Sequence, residues 1–345
     1  MKLTVSPSAA RAAAFIAIVT RVFYALALET PGSRSGAWLS ALLCAGPAAL
    51  WLGCLLLLKR RCSPAAARTV FLLVLLACAL LDGFASMSTL ARSAGYLTLD
   101  RVPLKWLALP VCAALFWCIL KNGDAVGYAA MLAVKILGAA LVLVALLQLR
   151  YMRAAWLHPI LGGGVREVCG GAIYAAGACV PASSVLLLCD AENKDTPGKA
   201  FAALLGAIAT AALMLALRQM MAPVLLRGDT WLNRLDVLLS NGRSPLYMQL
   251  PMIALWYAGL MHLCLCDGFA AAALLQRVAP TLDGRACAGI AALLLVLLCW
   301  FQSTVGALVE PVRPYLFSIV SAIAAAITLI PEGRKGGGSA CAQQS

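Results

Sequence analysis

The chain has 345 residues, of which 63% are hydrophobic and 12% charged, and a formal net charge of +13. So little polar surface excludes a water-soluble globular protein. The positive charge does not indicate a nucleic-acid partner either. The basic residues fall mostly in short connections, where lipid headgroups and insertion topology account for them.

A bilayer span needs roughly 20 mostly apolar residues. By that measure the chain divides into ten candidate spans: 8–28, 37–58, 69–90, 102–120, 126–149, 165–188, 201–226, 247–275, 286–309 and 314–330. The first follows Met1-Lys2 and resembles a signal peptide. Arg21 interrupts it and no soluble domain follows, so it reads as a span. After the second, Lys59-Arg60-Arg61 and Arg68 place a loop in the cytoplasm; with an even number of spans, both termini lie there too. The 14 cysteines are scattered through apolar runs, where Cys acts as a small apolar residue. Cys264-Leu-Cys266 has no second pair and makes no metal site.

The connection Ala191-Glu-Asn-Lys-Asp-Thr-Pro-Gly-Lys199 lacks the closing Glu of a calcium loop and reads as a solvated turn. Between spans seven and eight, Leu232, Leu235 and Leu239 share one face of a segment that Asp229 or Thr230 starts and Gly242 stops. This predicts a short amphipathic helix on the membrane surface. Residues 331–345 read as a flexible tail.

Within the predicted spans lie Arg21, Asp82, Lys135, Arg218, His262 and Asp267. A lone mid-bilayer charge costs several kcal/mol, so these residues are expected to face one another or a wet cavity. Arg21 with Asp82, and Lys135 with one of the two Asp residues, are the natural pairs. They serve either as structural ion pairs or as an ion or proton relay. Arg218 and Asp267 sit where a boundary error of a few residues would let them snorkel.

Helix breakers give a second signal. Span one is polar around Thr20-Arg21. Span six carries Cys169-Gly-Gly-Ala-Ile-Tyr-Ala-Ala-Gly177 and then Pro181, which cannot donate to the preceding turn. Breaks at matching places in two halves characterise inverted-repeat transporters, whose half-helix ends hold a small ligand. Tight packing through small residues accounts for the glycines equally well. On the transporter reading the ligand site comprises Thr20, Tyr24, Ser86, Gly177, Ser183, Ser184 and Trp256. An intramembrane enzyme would need a concentrated catalytic set, and the chain offers only His158 and His262, in separate regions.

Ser35-Gly-Ala-Trp38-Leu-Ser opening span two, His158-Pro159-Ile-Leu-Gly-Gly-Gly before span six, and Gly242-Arg243-Ser-Pro-Leu-Tyr-Met-Gln-Leu leading to Trp256 resemble, in order and spacing, segments of the bacterial endospore germination permeases. These are the B subunits of nutrient germinant receptors, within the amino acid–polyamine–organocation transporter superfamily. The likeness covers about residues 6–330. It departs at Arg21, at Gln249, where the family has an acidic group nearby, and at Tyr128-Ala129, where it has an Arg.

The resemblance implies an all-α fold of ten spans in two inverted five-helix repeats, 8–149 and 165–330, with broken first and sixth spans. It implies a non-enzymatic subunit of the spore inner membrane, without cofactor, that senses a small nutrient such as an amino acid. Its partners would be an A-type subunit and a lipoprotein C-type subunit. The alternative is a stand-alone proton-coupled amino-acid permease.

Overall fold

The computed structural model describes residues 3, 5–29, 36–60, 65–98, 103–121, 123–148, 152–158, 160–187, 196–221, 249–302, 304–306, 308, 320, 322–323 and 326–327. Among these the architecture is all-α. The helices in chain order are α1 (Pro7–Tyr24), continued by a π-wound segment (Ala25–Glu29), then α2 (Ala37–Leu43), α3 (Ala45–Arg60), α4 (Ala65–Thr98), α5 (Leu104–Leu120), α6 (Gly123–Gln148), α7 (Val165–Leu187), α8 (Thr196–Met221), α9 (Gln249–Val278) and α10 (Gly284–Trp300). Seven stretches are long and apolar enough to cross a membrane, one of them running through both α2 and α3; α5 and α10 contribute shorter apolar helices. Eight of the first nine predicted spans each coincide with one helix, and the second takes in two, α2 and α3. The surface helix expected at 229–242 lies outside the described residues, as does most of the span expected at 314–330.

Burial separates inner from outer helices. In the apolar stretches of α1, α4, α7 and α9, 78%, 61%, 72% and 72% of residues are buried, against 17% in α6. An α-helix that is apolar all round belongs in the interior. Accordingly α1 touches α6, α7, α8 and α9, and the most extensive packing among the described residues joins α4 to α9. Without a hydrophobic force between helices in lipid, small residues must bring backbones close. At Gly127 on α6, a Cβ would lie 2.7 Å from the Ala9 Cα of α1, and at Gly171 on α7 it would lie 2.9 Å from Ser40 Oγ.

Gly127→Ala is therefore expected to lower stability by about 1–3 kcal/mol, because backbone cannot give way. Gly268→Ala, which meets only the flexible end of Leu115, should cost less. Unfolding midpoints in detergent would rank the two, and equal midpoints would refute the close α1–α6 crossing.

The interruptions differ from expectation. Span one keeps α winding through Thr20 and Arg21 and changes to π winding only at Ala25–Glu29. Span six, α7, runs as one helix across Gly177 and Pro181 and is not split into halves. Around the proline, Cys179 Sγ, Ser183 Oγ and Ser184 Oγ donate to the carbonyls of Ala175, Val180 and Pro181 at 3.4, 2.9 and 2.5 Å. The carbonyl that Pro181 leaves without an N–H donor is that of Gly177. Span two is the interrupted one: a turn at Cys44 separates α2 from α3. The cause is Pro47, whose ring opposes the carbonyl four residues back, at Leu43, the last residue of α2.

Candidate functional site

The polar groups of the interior gather where α1, α4 and α9 meet. Arg21 of α1 is 1% exposed and Asp82 of α4 is fully buried; Nη2 of the first and Oδ1 of the second form an ion pair. One turn along α4, Ser86 Oγ donates to the Asp82 carbonyl at 2.8 Å and stands 3.5 Å from Asp267 Oδ2 of α9. Asp267 is 1% exposed. Gly83 lies at this contact: a Cβ there would stand 3.4 Å from the Asp267 Cβ, an ordinary contact distance, and 3.1 Å from the end of the Leu295 side chain of α10. Asp82, Gly83 and Ser86 thus form the face that α4 turns toward α9, spaced as neighbours on one helical surface.

The Arg21 guanidinium pairs with Asp82, and Asp267 lies within electrostatic reach of both. A buried pair contributes little net stability, but loss of either partner strands a charge. The wall of this centre is soft and apolar. Cys264 of α9 lies within electrostatic reach of Cys112 of α5 and Cys299 of α10, and Cys299 Sγ is 3.6 Å from Met87 Sδ of α4. Among the described residues no three His, Cys, Asp or Glu side chains come together as a metal site.

Two other predicted site residues lie on α1. Thr20 is nearly buried on α1, and a Cβ at Gly259 of α9 would stand 3.2 Å from its Oγ1; Tyr24, one turn on, is also buried. On α7, Ser184 is buried and Gly177 half-buried. Ser183 has a structural engagement, since Trp51 Nε1 of α3 donates to its Oγ at 2.8 Å. Trp256 belongs to α9, but its side chain lies outside the described residues.

Two expectations are corrected. Lys135 is not buried beside an Asp: it is exposed on α6, the outermost of the long helices. Asp267 is not near a boundary, because α9 continues to Val278 and the residue is enclosed. Sequence reasoning also missed the role of Arg218 at the end of α8, whose Nη1 donates to the Ala27 carbonyl at 3.4 Å, inside the π-wound segment. The signal was its place in the last turn of a span, where a long cation seeks carbonyls. His262 is buried as well, with Nε2 3.3 Å from Cys266 Sγ one turn on.

No protein-family model matches the chain, and no curated protein does. Solved structures do. A manganese transporter of Eremococcus coleocola, in complex with an aromatic bis-isothiourea substituted compound, aligns at TM-score 0.54 and 13% identity over 93% of this chain and 76% of that one. A single-residue mutant of that transporter gives TM-score 0.53 and 15% identity over the same shares. At such identities the likeness speaks for the fold alone. The chain is a multi-pass, all-α membrane protein with the fold of a transporter.

Proposed function

We propose that this chain is a permease-type subunit that binds a small zwitterionic nutrient, an amino acid, between α1, α4 and α9. The observation that carries the reading is the set of one guanidinium and two carboxyl groups buried inside a transporter fold. A zwitterion complements that set. Its carboxylate takes the planar fork of Arg21, its ammonium takes Asp82 and Asp267, and the hydroxyls of Ser86 and Thr20 complete the polar lining. Binding then exchanges an internal ion pair for two intermolecular ones. A divalent cation fits less well, because Arg21 stands within the acidic pair and hard cations require several oxygen ligands.

The likeness to germination permeases supports a finer reading. In it the chain senses a germinant in the spore inner membrane, with both termini in the cytoplasm, as two inverted five-helix repeats, beside an A-type and a lipoprotein C-type subunit. The cluster is closed in this conformation, so ligand must favour a second, open one. Turning a 1:99 population to 99:1 requires about 5.5 kcal/mol of differential binding.

The second reading, a stand-alone proton-coupled permease, is favoured by Asp267, the second carboxyl beside a single guanidinium. Radiolabelled amino acids offered to the purified chain in liposomes, with and without a proton gradient, separate the two. Saturable binding without accumulation, together with co-purification of an A-type partner from native membranes, is the expected result. Gradient-driven accumulation by the isolated chain would establish the permease instead, and absence of both binding and uptake would refute the site.

A further inference from the structure

Lys135 stands at the centre of α6: twelve residues separate it from Gly123 at one end and thirteen from Gln148 at the other. At 1.5 Å per residue, each end of the helix is roughly 18–20 Å away. A lysine stem of about 6 Å cannot carry the ammonium that distance to the headgroups, so snorkelling does not relieve it. Yet the residue is exposed, on a stripe that continues along one face through Leu132, Ile136, Ala139, Val142 and Leu146. At Gly138, beside it, an added Cβ would meet nothing within 4 Å. A mid-bilayer cation facing lipid costs several kcal/mol, and such residues otherwise pair inside a bundle.

We infer that this face of α6 is an interface, and that its occupant is a transmembrane helix of a different polypeptide carrying a carboxylate near mid-membrane, opposite Lys135. Charge decides the partner's chemistry, and Gly138 and Ala139 permit the close approach that a helix pair in lipid requires. A second copy using the same face is disfavoured: a two-fold contact sets like residues near one another, and Lys135 would face its own image. The inference rests on the membrane-spanning fold and stands independently of the germinant reading.

The test uses the full chain with a photo-cross-linking amino acid at position 142, two turns from Lys135. It is co-expressed with an apolar helix of about 20 residues bearing one central Glu or, as control, Gln. The Glu helix is expected to cross-link about tenfold more than the Gln helix. Lys135→Met should abolish that preference at unchanged membrane level, and Lys135→Glu should transfer it to a helix with a central Lys. Equal cross-linking of the Glu and Gln helices, or a preference that survives Lys135→Met, overturns the proposal. So does a cross-link that goes chiefly to a second copy or to residues 303–330 of the same chain.

Discussion

Arg21→Met is expected to destabilise the folded chain by about 3–5 kcal/mol, because it strands Asp82 in a site with no access to water. The double variant Arg21→Met/Asp82→Leu should recover most of the loss, since it replaces two buried charges by apolar groups of similar volume. Thr20 and Tyr24, on the same helix, provide controls: each is buried without belonging to the ion pair. Denaturation in mixed micelles, followed by the exposure of buried thiols, reads the difference. If single and double variants unfold together, Arg21 and Asp82 are not energetically coupled and the centre of the bundle has been misassigned.

Asp267→Asn separates function from stability. The amide keeps the shape of the carboxyl group and removes its capacity to ionise, so packing against Gly83 and the contact with Ser86 are kept. Removing a buried charge does not in itself destabilise, and the variant should unfold at or above the wild-type midpoint. Ligand affinity should fall by about tenfold or more, the loss expected when a charge-assisted hydrogen bond becomes a neutral one. Equilibrium binding of radiolabelled amino acid to the purified chain measures this. Unchanged affinity would remove Asp267 from the site, whereas unfolding of the variant would make it structural.

The sequence announced the spans because each is a run of apolar residues bounded by charge, and membrane insertion reads much the same signal. It announced the Arg21–Asp82 pair because two opposite charges within spans have few other places to go. Asp267 was harder to read, since only the length of α9 decides whether it lies inside or at an edge. Lys135 was misread for a different reason. The sequence around it is apolar on every side, so no periodicity shows which face turns inward. The breaks were misjudged because proline acts through its neighbours. Pro181 leaves α7 running on as one helix to Leu187, while Pro47 meets the end of α2. The contact of Arg218 with Ala27 joins residues 191 apart in sequence, so its place in the last turn of α8 signals a carbonyl partner without showing which one.

The N-terminal half of α1 is lined by Ala9, Ala10, Ala13 and Ala14, all buried, and Gly127 of α6 approaches it closely at Ala9. Alanine raises almost no ridge, so this half of the helix does not mesh with its surroundings as leucine-rich helices do. Packed helices that slide past one another must otherwise change rotamers at each interlocking ridge. Here there are few to change: the first half of the rod is smooth, and its fastening lies in the fully buried second half, at Arg21 and among Ile16, Ile18 and Phe23. Mechanical resistance to displacing α1 therefore resides in its second half, in an ionic latch set among large side chains, instead of being spread evenly along the helix. A group able to compete for that latch would loosen α1 from that half alone.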